Sequence, residues 1–105
     1  GGEGAPNFDQ RGQVNLDAYK AALCKVSPDF QTKHGYDVDA PGTANLSVCT
    51  NYLANEFGCL AMTLEMPFKD NADLPDYVHG WSPERCRKLG AANLEAMLAL
   101  VDQLR

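Results

Sequence analysis

Glu65 is where this chain could do acid–base chemistry. In residues 59–66 a period of two puts Leu60, Met62, Leu64 and Met66 on one face and Cys59, Ala61, Thr63 and Glu65 on the other, the pattern of a strand with one buried side. Pro67 has no N–H to give to a ladder, so the strand should stop there and leave Glu65 near its carboxyl end. Open α/β sheets bind ligands on that rim, and a carboxylate there is a candidate general acid or base. A lone carboxylate at a strand end also serves as a plain ion-pair partner, so its surroundings must decide between the two.

The elements that would position it read as follows. Residues 1–14 carry glycines, Pro6 and polar residues without a period, and are expected to be loop. Asn15 is a plausible N-cap for a helix with Leu16, Tyr19, Leu23 and Val26 at three- and four-residue steps, ended by Ser27 before Pro28. The polar run 29–42 is too long for a tight turn, and loops of that length are often functional. A second helix fits Thr43 or Asn45 to Phe57, with Leu46, Cys49, Leu53 and Phe57 inward and Gly58 as its C-cap. After a loop to Gly80, Ser82, Pro83 and Glu84 start a long helix toward Leu104. Its expected apolar face is Cys86, Leu89, Leu94, Met97, Leu98, Val101 and Leu104.

Composition narrows the setting. With 105 residues, 45% of them hydrophobic, the chain is at most one globular domain. Nine Lys and Arg scattered among fourteen Asp and Glu, a net charge of -5, leave no basic stripe for nucleic acid. No apolar run approaches the roughly 18 residues of a membrane span. The chain opens on Gly1 rather than Met, so it is expected to be processed or a piece of something longer. Cys24, Cys49, Cys59 and Cys86 are too far apart for a C-x-x-C motif and read as buried free thiols, with a two-bridge secreted framework the minority reading. One strand cannot satisfy its own backbone edges, so an α/β chain of three helices and one or two strands needs partner strands from outside these residues.

The segment Thr63-Leu-Glu-Met-Pro-Phe-Lys-Asp-Asn71, with Pro41-Gly-Thr-Ala-Asn45 before it and Gly80-Trp-Ser-Pro-Glu-Arg85 after it, resembles the C-terminal end of bacterial cytosolic-type zinc carboxypeptidases of the M14 family. The resemblance implies that residues 1–105 are the C-terminal part of a single mixed-sheet peptidase domain, cytoplasmic, whose substrate is a peptide or protein C-terminus. It implies that Glu65 is the general base and acid acting on zinc-bound water, a role a half-buried carboxylate can fill because zinc lowers the pKa of that water to about 7. Tyr36, in His34-Gly-Tyr-Asp37, matches the family's mobile-loop tyrosine near the substrate's C-terminus; Tyr52, on a helix, reads as packing. Asn45 stands where the glutamate-trimming relatives carry a basic residue. It is a candidate pocket residue, with helix capping by Thr43 or Asn45 the alternative.

The family's zinc ligands, a His-x-x-Glu pair and a later histidine, precede the catalytic glutamate, and this chain has only His34 and His79. Zinc is therefore expected to be held by the longer protein outside this chain, as are the arginines that clamp the substrate carboxylate, and the 105 residues alone should be inactive. Two rivals remain: a non-catalytic helical module pairing through an exposed strand edge, and a self-contained metal or thiol protein built on His34, Asp37, His79 and the cysteines.

Overall fold

The structure, a computed structural model, describes residues 1–104, and its three helices are α1 (Gln10–Val26), α2 (Cys49–Phe57) and α3 (Pro83–Leu100). Helix α1 starts five residues before Asn15. Its N-cap is Asp9, whose carboxylate accepts from the Gly12 N–H at 2.8 Å. Phe8, just before the cap, packs over Gly12, where even a Cβ would fall 2.9 Å from the ring. Asn15 is thus an interior, buried residue, and the expected loop over 1–14 gives way to helix from residue 10. The far end is as expected: Ser27 turns to extended geometry while its N–H reaches the Leu23 carbonyl.

Helix α2 starts later than the sequence suggested. The Asn45 side chain accepts from the Ser47 N–H at 2.9 Å and the Asn45 carbonyl accepts from Val48, so local turn bonds take the donors a helix would use. Gly58 closes α2 in the left-handed region at φ 59°. The residues expected inward, Leu46, Cys49, Leu53 and Phe57, lie at the surface, and Ala54 and Asn55 are buried instead. Asn55 fastens the N-terminal loop, accepting from Asn7 N–H at 3.0 Å and, through its carbonyl, from Asn7 Nδ2 at 3.1 Å.

Ser82, Pro83 and Glu84 open α3 as their types dictate, with Ser82 accepting from the Arg85 N–H. The buried side of α3 is Leu89, Ala92, Ala96 and Leu100. Of the face expected from the sequence only Leu89 is fully buried; Leu94, Met97, Leu98 and Val101 are exposed, Cys86 is half-buried, and Leu104 packs beside the core. The small residues win because α1 and α3 approach closely, and alanines on α3 let Tyr19 and Leu23 of α1 sit against the helix. Across that contact Tyr19 Oη donates to Asn93 Oδ1 at 2.9 Å, and burial pushes the Tyr19 phenol up from its ordinary pKa.

Residues 59–66 pass against this pair, but no strand forms among the described residues. Leu60 and Met62 pack on the core as the alternation required, whereas Leu64 and Met66 run past its edge and are exposed. Among the described residues no backbone hydrogen bond joins 59–66 to another segment, so no ladder forms there. Cys24, Cys49 and Cys59 are exposed rather than buried, and no disulfide forms. Cys24 follows Leu23, which itself faces the core, and one residue further turns the side chain about 100° away.

The radius of gyration, 14.8 Å, exceeds the about 13 Å of a compact domain this long. The surface, 7376 Å², exceeds by roughly 1,600 Å² the about 5,800 Å² that a folded monomer of 11.4 kDa exposes.

Candidate functional site

Two of the three site residues named from the sequence meet in space. Tyr36 Oη donates to Glu65 Oε1 at 3.1 Å, joining residues 29 apart in the chain. Both side chains face water, Tyr36 with 82% of its surface exposed. The carboxylate holds the phenol's proton and raises the Tyr36 pKa above its ordinary value. Asn45 does not join them; its side chain is turned back into its own Asx-type turn before α2.

Each partner is carried by a pinned loop. On the Tyr36 side, Gln31 Oε1 accepts from the N–H groups of Lys33 and His34, both at 2.7 Å, while its Nε2 donates to the His34 carbonyl. On the Glu65 side, the chain beyond Pro67 is held at Lys69, whose carbonyl accepts from Trp81 N–H at 2.8 Å. Gly80 makes that approach possible, because at φ 61° a Cβ there would fall 2.4 Å from the Lys69 oxygen.

Arg85 gathers both loops. Its guanidinium pairs with Asp29, two residues before Gln31, and donates to Asp70 Oδ1 at 2.8 Å, one residue after Lys69. It also donates to the Leu74 carbonyl and lies over the Trp81 ring, 4.9 Å from the centroid. Asn71 Nδ2 adds a bond to Asp29 Oδ1 at 3.3 Å. Arg85 hydrogen bonds hold the Asp29 carboxyl below its ordinary pKa, and Asp29 in turn raises that of Arg85. The arginine is 12% exposed and Asp29 10%, so this is a largely covered charge cluster. Reading the sequence for site residues missed it, although a cation in the first turn of a helix is itself a signal: the positive end of the dipole disfavours it unless acids gather around.

His34 and Asp37 are exposed in the Tyr36 loop, and His79 sits 3.5 Å from Asp76 in the other loop. Among the described residues no three His, Cys, Asp or Glu side chains gather as a metal-binding set. The zinc that the resemblance implies therefore finds no ligand set among the described residues, and nothing in their geometry supports the reading of a self-contained metal protein. No helix of the described residues is long and apolar enough to cross a membrane.

Known proteins share this architecture. The chain superposes over its full length on a metallo-carboxypeptidase from Pseudomonas aeruginosa solved in complex with (2-guanidinoethylmercapto)succinic acid, at 40% identity and a TM-score of 0.96, covering 28% of that chain. A protein of Shewanella denitrificans assigned provisionally to carboxypeptidase A is 52% identical over 98% of this chain and 27% of its own, also with a TM-score of 0.96. An uncharacterized protein of Zymomonas mobilis is 46% identical over 104 residues, 99% of this chain and 27% of its own. No family model matches the chain. The likeness to metallo-carboxypeptidases that the motifs implied is thus borne out, and it covers about a quarter of those chains, consistent with a C-terminal segment of such an enzyme.

Proposed function

We propose that the chain is the C-terminal segment of an M14-type zinc carboxypeptidase and supplies its general base and acid, Glu65. The observation that carries this is the Tyr36–Glu65 hydrogen bond, which brings together, on a metallo-carboxypeptidase scaffold, the two residues named for base and substrate contact. In this reading Glu65 accepts a proton from the attacking water and returns it to the amine that leaves when the last peptide bond breaks. Tyr36 directs the carboxylate and faces the substrate's C-terminal residue, and Asn45 contributes to the wall of the specificity pocket. The metal is held by residues of the longer protein, and the 105 residues alone are inactive. Residues 59–66 become a strand of the peptidase sheet once the rest of the domain lies beside them, which puts the chain in the α/β class. The free thiols favour a cytoplasmic setting.

The test is a double-substitution cycle in the longer protein. Tyr36→Phe should cost about tenfold in kcat/KM when Glu65 is intact and almost nothing once Glu65→Gln is present, because the two act through one contact. The same factor in both backgrounds would separate them and contradict the shared site.

A further inference from the structure

Residues 32–40 carry Tyr36 and are exposed at every position, so no side chain of their own fixes their path by burial. Their course is set where the stretch is fastened at its two ends. The first fastening is at Asp29 and Gln31, described above. The second is at residues 39–44, and the N-terminal segment makes it. Gly2 to Ala5 form a turn closed by the Ala5 N–H on the Gly2 carbonyl at 3.0 Å, with Gly4 at its third position and φ 84°, the angle a type II turn requires there. Gly4 presses directly on the loop: a Cβ there would fall 2.6 Å from Asp39 Cβ, 2.8 Å from the Asp39 carbonyl oxygen and 3.1 Å from that of Ala40. The Gly4 carbonyl accepts from the Ala44 N–H at 3.0 Å, and the Thr43 N–H and hydroxyl close the loop on the Ala40 carbonyl at 3.0 and 2.8 Å. The turn is itself fixed to two helices. Gly2 is buried against α2, where a Cβ would fall 2.2 Å from Ala54 Cβ, and Glu3 pairs with Lys20 of α1 at 3.2 Å. The clip therefore runs from α1 and α2 through Gly4 to a point three residues after Tyr36 and one residue before Asn45.

Resting on the reading of Glu65 as base and Tyr36 as substrate contact, we infer that Gly4 is a positioning residue for the reaction: the missing side chain at this turn lets the loop come in far enough for Tyr36 to reach Glu65. A side chain at position 4 would meet backbone oxygens and a Cβ, not the yielding end of a long side chain, and would be strained at φ 84° besides, so the loop has to move outward. The contact has little slack. Tyr36 Oη stands 3.1 Å from Glu65 Oε1, and a shift of about 1 Å takes the pair beyond hydrogen-bond distance.

The test uses the longer protein labelled with fluorotyrosine and follows the Tyr36 fluorine resonance, recognised by its loss in Tyr36→Phe, as pH is raised. Beside the Glu65 carboxylate the phenol titrates above free fluorotyrosine, and Glu65→Gln brings the midpoint down. Gly4→Ala should bring it down as far. It should also lower kcat/KM about tenfold with Tyr36 present and change it within about twofold on a Tyr36→Phe background, a split that a general loss of structure does not give. Two glycines inserted between Val38 and Asp39, in the exposed stretch, leave the clip intact and slacken its hold on Tyr36. The same fall in midpoint is expected there, and this variant decides if Gly4→Ala does not fold. A midpoint that stays at the wild-type value in either folded variant overturns the proposal, as does an equal loss of kcat/KM in both backgrounds. The two levels of the argument fail separately. A wild type without peptidase activity whose midpoints move as expected sinks the functional reading and leaves Gly4 its positioning role; an active, Glu65-dependent wild type whose midpoint ignores Gly4→Ala does the reverse.

Discussion

Arg85 carries more of this molecule's organisation than Glu65 does, although Glu65 is the residue that chemistry singles out. Its guanidinium holds Asp29 and Asp70, and through them the two loops whose far ends place Tyr36 against Glu65. Arg85→Ala would leave Asp29, 10% exposed, without its counter-charge and release both loops. The expected loss is about 2–3 kcal/mol in urea unfolding, more than an exposed ion pair would give. The pH dependence has a definite sign. Because the folded pKa of Asp29 lies below its ordinary value, the stabilisation is fully present above about pH 4 and fades as pH falls through the folded pKa. The gap between wild type and Arg85→Ala should therefore narrow in acid; a gap that stays constant down to low pH would place the stabilisation elsewhere. This centre was illegible in the sequence because its members come from three distant stretches, and only the misfit of a cation in a helix's first turn hinted at it.

Among the elements, helix ends were easier to read than helix faces. Ser82-Pro83-Glu84 and Gly58 act as their side chains dictate, since capping depends on neighbours within a turn. The start of α1 was missed because Asp9 lies in a stretch whose glycines and Pro6 read as loop, yet its carboxylate reaches the Gly12 N–H. Asp9→Ala should cost about 1 kcal/mol and fray residues 10–13, seen as faster amide exchange there; unchanged exchange would show that Phe8 packing alone holds the end. Faces went wrong in α2 and α3 for a different reason. Periodicity finds apolar positions but not which of two apolar sides meets the neighbouring helix, and close packing favoured Ala92 and Ala96 over Leu94 and Leu98. The alternation over 59–66 did locate Leu60 and Met62 on the core side, while the strand itself needs a partner that the described residues do not provide.

At the scale of the whole molecule, the extended shape, the excess surface and the unpaired segment describe a chain shaped to lie against something larger. The metallo-carboxypeptidases that match it over about a quarter of their length show the same fold in that setting. The motif around Glu65 was legible as such a segment because its residue order, spread over three stretches, survives in the sequence. The metal was not, because no ligand set lies within the described residues. The role of Glu65 as general base is tested by turnover of the longer protein carrying Glu65→Gln, with zinc content and affinity for a substrate analogue measured on the same sample. Zinc and the analogue should bind as in the wild type while kcat falls about 10²–10⁴-fold, the contribution of a positioned acid–base group. Turnover retained at the wild-type rate would contradict it.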